Sequence, residues 1–124
     1  MICRIWHGWT PREQAPEYES LVRGTVIPEI EARGIQGFRS IELMRRSVED
    51  GVEFVTIMWF DDVEAVRRFM GQDYEVAHVP EAARALLARF DQRSAHYEVL
   101  DRRVEWEGGV RMGMSETRPP RSDV

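Results

Sequence analysis

The sequence predicts an α+β fold built on one antiparallel sheet, and three observations carry that prediction. Two stretches with a hydrophobic period of two flank an Asp-Gly pair in the middle of the chain. A further strand-like run opens the chain and another closes its patterned part, and apolar residues recur at helical spacing in the segments between.

Residues 2–9, "ICRIWHGW", are rich in β-branched and aromatic residues, and alternation puts Cys3, Ile5, His7 and Trp9 on one side and Ile2, Arg4 and Trp6 on the other. Both sides carry large apolar groups, so this strand needs cover on both faces. "TPRE" follows, with Thr10 as an expected N-cap, Pro11 at the first helical position and Glu13 placed to complete a capping box. Ala15, Tyr18, Leu21, Val22 and Thr25 then form an apolar stripe. Pro28 lacks an amide donor and predicts a kink near residues 24–25, and Gly34 supplies a stop.

From Gly37 the period becomes two. "GFRSIELMRR" and "VEFVTIMWF" read as long antiparallel strands joined at Asp50-Gly51. Asp61 or Asp62 caps the next helix, in which Val66, Phe69 and Met70 mark the buried face and Gly71 the end. Pro80 predicts the start of a further helix, "PEAARALLARF", packed through Leu86, Leu87 and Phe90, and "SAHYEVL" reads as the last strand.

The order strand, helix, strand, strand, helix in two pieces, strand is the ferredoxin-like split βαβ arrangement, with helices on one face of one antiparallel sheet. Apolar residues on the other face predict sheet-to-sheet pairing of two copies, a homodimer. The chain of 124 residues suits one domain over residues 1–100, followed by a polar tail over 101–124 that can order on a partner subunit through Val104 and Trp106.

Composition narrows the function classes. A net charge of −5 argues against nucleic acid as a partner, and no apolar run approaches the roughly 18 residues of a membrane span. No signal-peptide pattern is visible, so a cytoplasmic setting is expected. Cys3 is the only cysteine, which leaves no dithiol chemistry and no Cys-rich metal site. All 17 basic residues are Arg, and the chain has neither Lys nor Asn, so Schiff-base catalysis by lysine is excluded.

Three blocks, "RIWHGWTPREQAPEYE", "VTIMWFDDVEAVRRFMGQD" and "RFDQRSAHYEV", resemble the antibiotic biosynthesis monooxygenase family within the dimeric α/β barrel superfamily, over about residues 2–100. The resemblance implies a homodimer with a pocket between sheet and helices in each subunit. It also implies cofactor-independent oxygenation of an electron-rich aromatic, polyketide-like substrate, for which a base, an aromatic wall and a water-free cavity are needed.

The candidates for these parts are His78 and Tyr74 as catalytic groups, one helical turn apart if "DYEVAH" is helical, and Trp59, Phe69 and Phe90 as walls for a small aromatic or apolar ligand. His96 and Glu98 share a strand face, and His7 joins them only if its own face matches. Each also reads as structural: His78 as a cap, Trp59 as core, and His96 with Glu98 as interface or surface. No metal or cofactor is expected. Haem is the alternative, since "EVAH" resembles the ligand segment of haem-degrading relatives, whose accompanying asparagine this chain lacks. A non-catalytic ligand-binding or assembly module is the other alternative.

Overall fold

The computed structural model describes residues 1–105. Its centre is β1 (Ile2–Thr10), which pairs antiparallel with β3 (Gly51–Phe60) along its whole length, and β3 pairs with β2 (Phe38–Val48). The short strands β4 (Arg89–Phe90) and β5 (Ala95–Glu98) both lie on the other edge of β1. One antiparallel sheet with helices is therefore the observed architecture, ferredoxin-like α+β as expected.

The hairpin forms where the sequence marks it, with Val48 paired to Gly51. Glycine is required there: φ is +157°, and a Cβ would stand 2.1 Å from the carbonyl oxygen of Thr10.

Register then assigns the faces. Trp6 pairs with Thr56, Arg4 with Met58 and Gly8 with Phe54, which puts these residues on the side covered by helices. Two groups of buried residues fill that side, one around Trp6, Tyr18 and Phe54, the other around Ile30, Met58, Phe60 and Phe69. The opposite side carries Cys3, Ile5, His7 and Trp9 with Trp59, Ile57 and Val55. None of Ile5, Val55, Ile57 or Trp59 joins either core cluster.

Several expectations are corrected. Thr10 is the last residue of β1, paired with Val52 and buried, and it does not cap the following helix; a short 3₁₀ turn, Arg12–Gln14, intervenes without a side-chain cap. The irregularity expected near residues 24–25, upstream of Pro28, is present. Between α1 (Ala15–Leu21) and α2 (Ile27–Ala32) the chain makes a π-helical turn, Val22–Val26, and the amide of Ile27 reaches back to the carbonyl of Val22. This wider turn lets the axis continue past a residue that has no amide hydrogen.

Downstream, α3 (Val63–Met70) starts at Asp62, whose carboxylate accepts from the amide of Ala65 at 2.9 Å, and ends at Gly71 with φ +96°. The helix expected after Pro80 is only α4 (Glu81–Arg84). Pairing wins over helix propensity beyond it, because the amide of Ala88 bonds the carbonyl of Trp9 and the amide of Asp91 bonds that of His7. Residues 71–80 form a loop rather than a helix, so Tyr74 and His78 are not stacked on successive turns. Residues 101–105 have no regular structure; the rest of the expected tail, with Trp106, lies outside the described residues. Among the described residues no helix is long and apolar enough to cross a membrane.

Candidate functional site

Alternation along β1 sends Arg4 and Trp6 beneath the helices, and there they floor a cavity together with their cross-strand neighbours Met58 and Thr56. The indole Nε1 of Trp6 donates to the carbonyl of Asp91 at 2.9 Å, which fixes the ring. The π-helical turn supplies one wall through Val22 and Val26, continued by Ile27 and Ile30. Tyr18 from α1 and Phe69 from α3 close the sides, and His78, Val79 and Pro80 form the mouth.

The space available to the centres of water-sized molecules is about 50 Å³. At roughly 10–15 Å³ per water this corresponds to about three to five waters, the bulk of one substituted aromatic ring or a small fused pair. The lining is mainly aliphatic and aromatic, with a few polar groups that converge on the space, which is the usual character of a small-molecule site.

Those polar groups differ in state. His78 is exposed as a whole residue, yet its imidazole lines the cavity and packs on Phe69 with ring centroids 5.3 Å apart. Partial burial, together with the positive charges of Arg33 and Arg4, lowers its pKa against a weaker opposing effect of Glu29, so the ring is neutral at pH 7. Tyr18 is 3% exposed and burial raises the pKa of its phenol, which keeps it a neutral hydroxyl. No hydrogen bond to that hydroxyl is formed among the described residues.

Arg4 is 3% exposed and ties the mouth loop to the sheet. Its Nη1 donates to the carbonyl of Tyr74 at 2.5 Å and to Nε2 of His96 at 2.9 Å, and its Nη2 donates to the carbonyl of Val76 at 2.9 Å. The same loop is held from its far side, where the amide of Ser94 bonds the carbonyl of Glu75 at 2.6 Å and Val76 bridges to Arg93. Arg93 adds exposed ion pairs to Asp73 and Glu75.

The residues singled out from the sequence are thus divided. His78 and Phe69 line the cavity. Tyr74 does not; its ring stands edge-on to His96 at 5.0 Å with Arg67 over it, and only its carbonyl touches the site, through Arg4. Trp59 lies on the opposite face of the sheet, where its Nε1 donates to Glu42 at 3.1 Å and Arg102 covers the ring. Phe90 packs on Trp6, at 6.1 Å between ring centroids, rather than on the cavity. His96 faces Arg4, whereas His7 points to the other side and bonds Asp91 at 2.7 Å, so the two histidines do not meet.

Sequence reasoning missed Arg4, Trp6, Tyr18 and Ser94 as site residues. For Arg4 a signal existed: it is a charged residue between Ile2 and Trp6 on one strand face, the position of a group that must be buried. Among the described residues no group of three or more His, Cys, Asp or Glu could hold a metal ion. The charges of Arg33 and Arg4 near the His78 imidazole disfavour a cationic haem iron at that ring.

No family model and no curated protein matches the sequence. Solved structures do. The chain is similar to a Bacillus cereus protein assigned to the antibiotic biosynthesis monooxygenases, at 15% identity and a TM-score of 0.60, covering 86% of this chain and 97% of that one. It is also similar to the monooxygenase from the gene ActVA-Orf6 of Streptomyces coelicolor, solved with the ligand nanaomycin D, at 19% identity and a TM-score of 0.59, covering 84% and 91%. A third likeness is to a variant of SnoaB, a cofactor-independent oxygenase from Streptomyces nogalater, at 23% identity and a TM-score of 0.51, covering 83% and 95%. At such identities the shared property is the fold, and it is the fold of the family that the three sequence blocks resemble.

Proposed function

We propose that this protein is a cytoplasmic, homodimeric, cofactor-independent monooxygenase acting on a small electron-rich aromatic molecule bound between sheet and helices. The observation that carries the reading is the neutral imidazole of His78 at the mouth of an apolar cavity walled by Trp6 and Phe69. A neutral imidazole can accept a phenolic proton, and the enclosing apolar walls keep water from the anion that forms. That anion then reduces dioxygen; one oxygen atom enters the ring and the other leaves as water. Tyr18, a neutral phenol on the cavity wall, serves as hydrogen-bond partner in place of Tyr74, and Trp6 serves as ring wall in place of Trp59. The likeness of fold to a cofactor-independent oxygenase supports this chemistry in this scaffold. Cavity size favours one ring or two fused rings over larger polycycles.

The test is oxygen uptake with 1-naphthol, which consumes one dioxygen and yields 1,4-naphthoquinone and water. His78→Gln is expected to slow turnover by about 10²-fold with the fold intact. In the wild type, the rate should fall on the acid side with a midpoint below the ordinary histidine value of 6.5, and the variant should lose that limb. No enzyme-dependent uptake, or a His78→Gln variant as fast as the wild type, would overturn the reading.

A further inference from the structure

We propose that the cavity selects an aromatic monocarboxylate, whose carboxylate is clamped by Arg4 and Ser94; this deepens the function proposed above and rests on it. Arg4 is 3% and Ser94 4% exposed, and both line the cavity. A guanidinium has five N–H bonds. The three hydrogen bonds of Arg4 use two on Nη1 and one on Nη2, so the Nε–H and one Nη2–H have no partner among the described residues.

Every acceptor that Arg4 does have is neutral: two peptide carbonyls and an imidazole. No ion pair among the described residues includes it. Its guanidinium also stands over the ring of Phe69, 5.4 Å from the centroid. A cation taken out of water without an anion is unfavourable, because attraction to an opposite charge is what offsets its lost hydration. Burial lowers the pKa of this group to about 10, which still leaves it charged at pH 7. The side chain therefore stands as half of a buried ion pair.

Ser94 points to the same kind of ligand. Among the described residues its Oγ is buried without a hydrogen-bond partner, although such hydroxyls are rarely left unpaired. Free donors on adjacent guanidinium nitrogens match the two oxygens of a carboxylate, and the serine hydroxyl adds a third donor. A phenol or a neutral amide brings one oxygen acceptor and no charge. Phe69, Val26 and Ile30 are left to hold the ring.

Titration calorimetry of the full chain at pH 7 with benzoate and its neutral isostere benzamide tests the clamp. Benzoate is expected to bind at least tenfold more tightly. Arg4→Met should bring the two within about twofold of each other, and Ser94→Ala should weaken benzoate more than benzamide. Should Arg4→Met fail to fold, the wild-type comparison and Ser94→Ala decide the matter. Benzamide binding as tightly as benzoate, or benzoate failing to bind, overturns the clamp. Oxygen uptake with 1-naphthol would then leave the oxygenase reading standing, whereas absence of uptake would remove both.

Discussion

The guanidinium of Arg4 donates to Nε2 of His96 at 2.9 Å, across the antiparallel pair of β1 and β5. A guanidinium cannot accept, so Nε2 must be unprotonated and the imidazole neutral. Burial first, and the charge of Arg4 second, pull the His96 pKa down to about 4, against weaker opposing effects of Glu75 and the Ser94 backbone. Between that value and the ordinary 6.5 the unfolded chain binds a proton that the folded chain refuses. Stability is fully present above the ordinary histidine value of 6.5 and is lost as pH falls towards about 4. The loss should be on the order of 2 kcal/mol from this residue, with His78 acting in the same direction. Urea unfolding at pH 7 and at pH 4.5, repeated on His96→Phe, measures it; an equally steep pH dependence in the variant would refute the assignment.

Asp62 and Ala65 make a second prediction. The Asp62 carboxylate satisfies an amide that α3 otherwise leaves unpaired, and α3 carries Phe69 to the cavity. Asp62→Ala should cost about 1 kcal/mol of unfolding free energy. The neighbouring Asp61→Ala removes an exposed pair with Arg39 and should cost less. Denaturant midpoints for the two variants give the comparison, and a larger loss at Asp61 would contradict it.

How far the sequence could be read depends on how local the decisive interaction is. The hairpin at Asp50-Gly51, the cap at Asp62 and the alternation of β1 depend on neighbours in sequence, and all are observed. Thr10 and the segment after Pro80 depend on strand partners far away, Val52 in one case and Gly8 with Trp9 in the other, and pairing overrode local propensity at both. The site follows the same rule. Helical spacing marks Phe69 and residue type marks His78, and both line the cavity. Exchanging Trp59 for Trp6 required knowing which strand face the helices cover, and both faces of β1 and β3 carry large apolar groups. Only a helix would bring Tyr74 beside His78, whereas the Arg4 bonds to the Tyr74 and Val76 carbonyls hold that segment as a loop.

The open face of the sheet makes the last prediction. Ile5 pairs with Ile57 and His7 with Val55 on the side away from both core clusters, and Met44 and Tyr97 on this face are 47% and 56% exposed. Large apolar residues on a sheet face that no helix covers are stabilised by a like face, and two-fold pairing of one chain with itself supplies it. Ile57→Arg places a charge in the middle of that face without touching either core cluster. The wild type should sediment as a dimer at micromolar concentration and Ile57→Arg as a folded monomer. A monomeric wild type would remove the second sheet from the account but not the cavity, which the described residues of one chain already enclose on the helix-covered side.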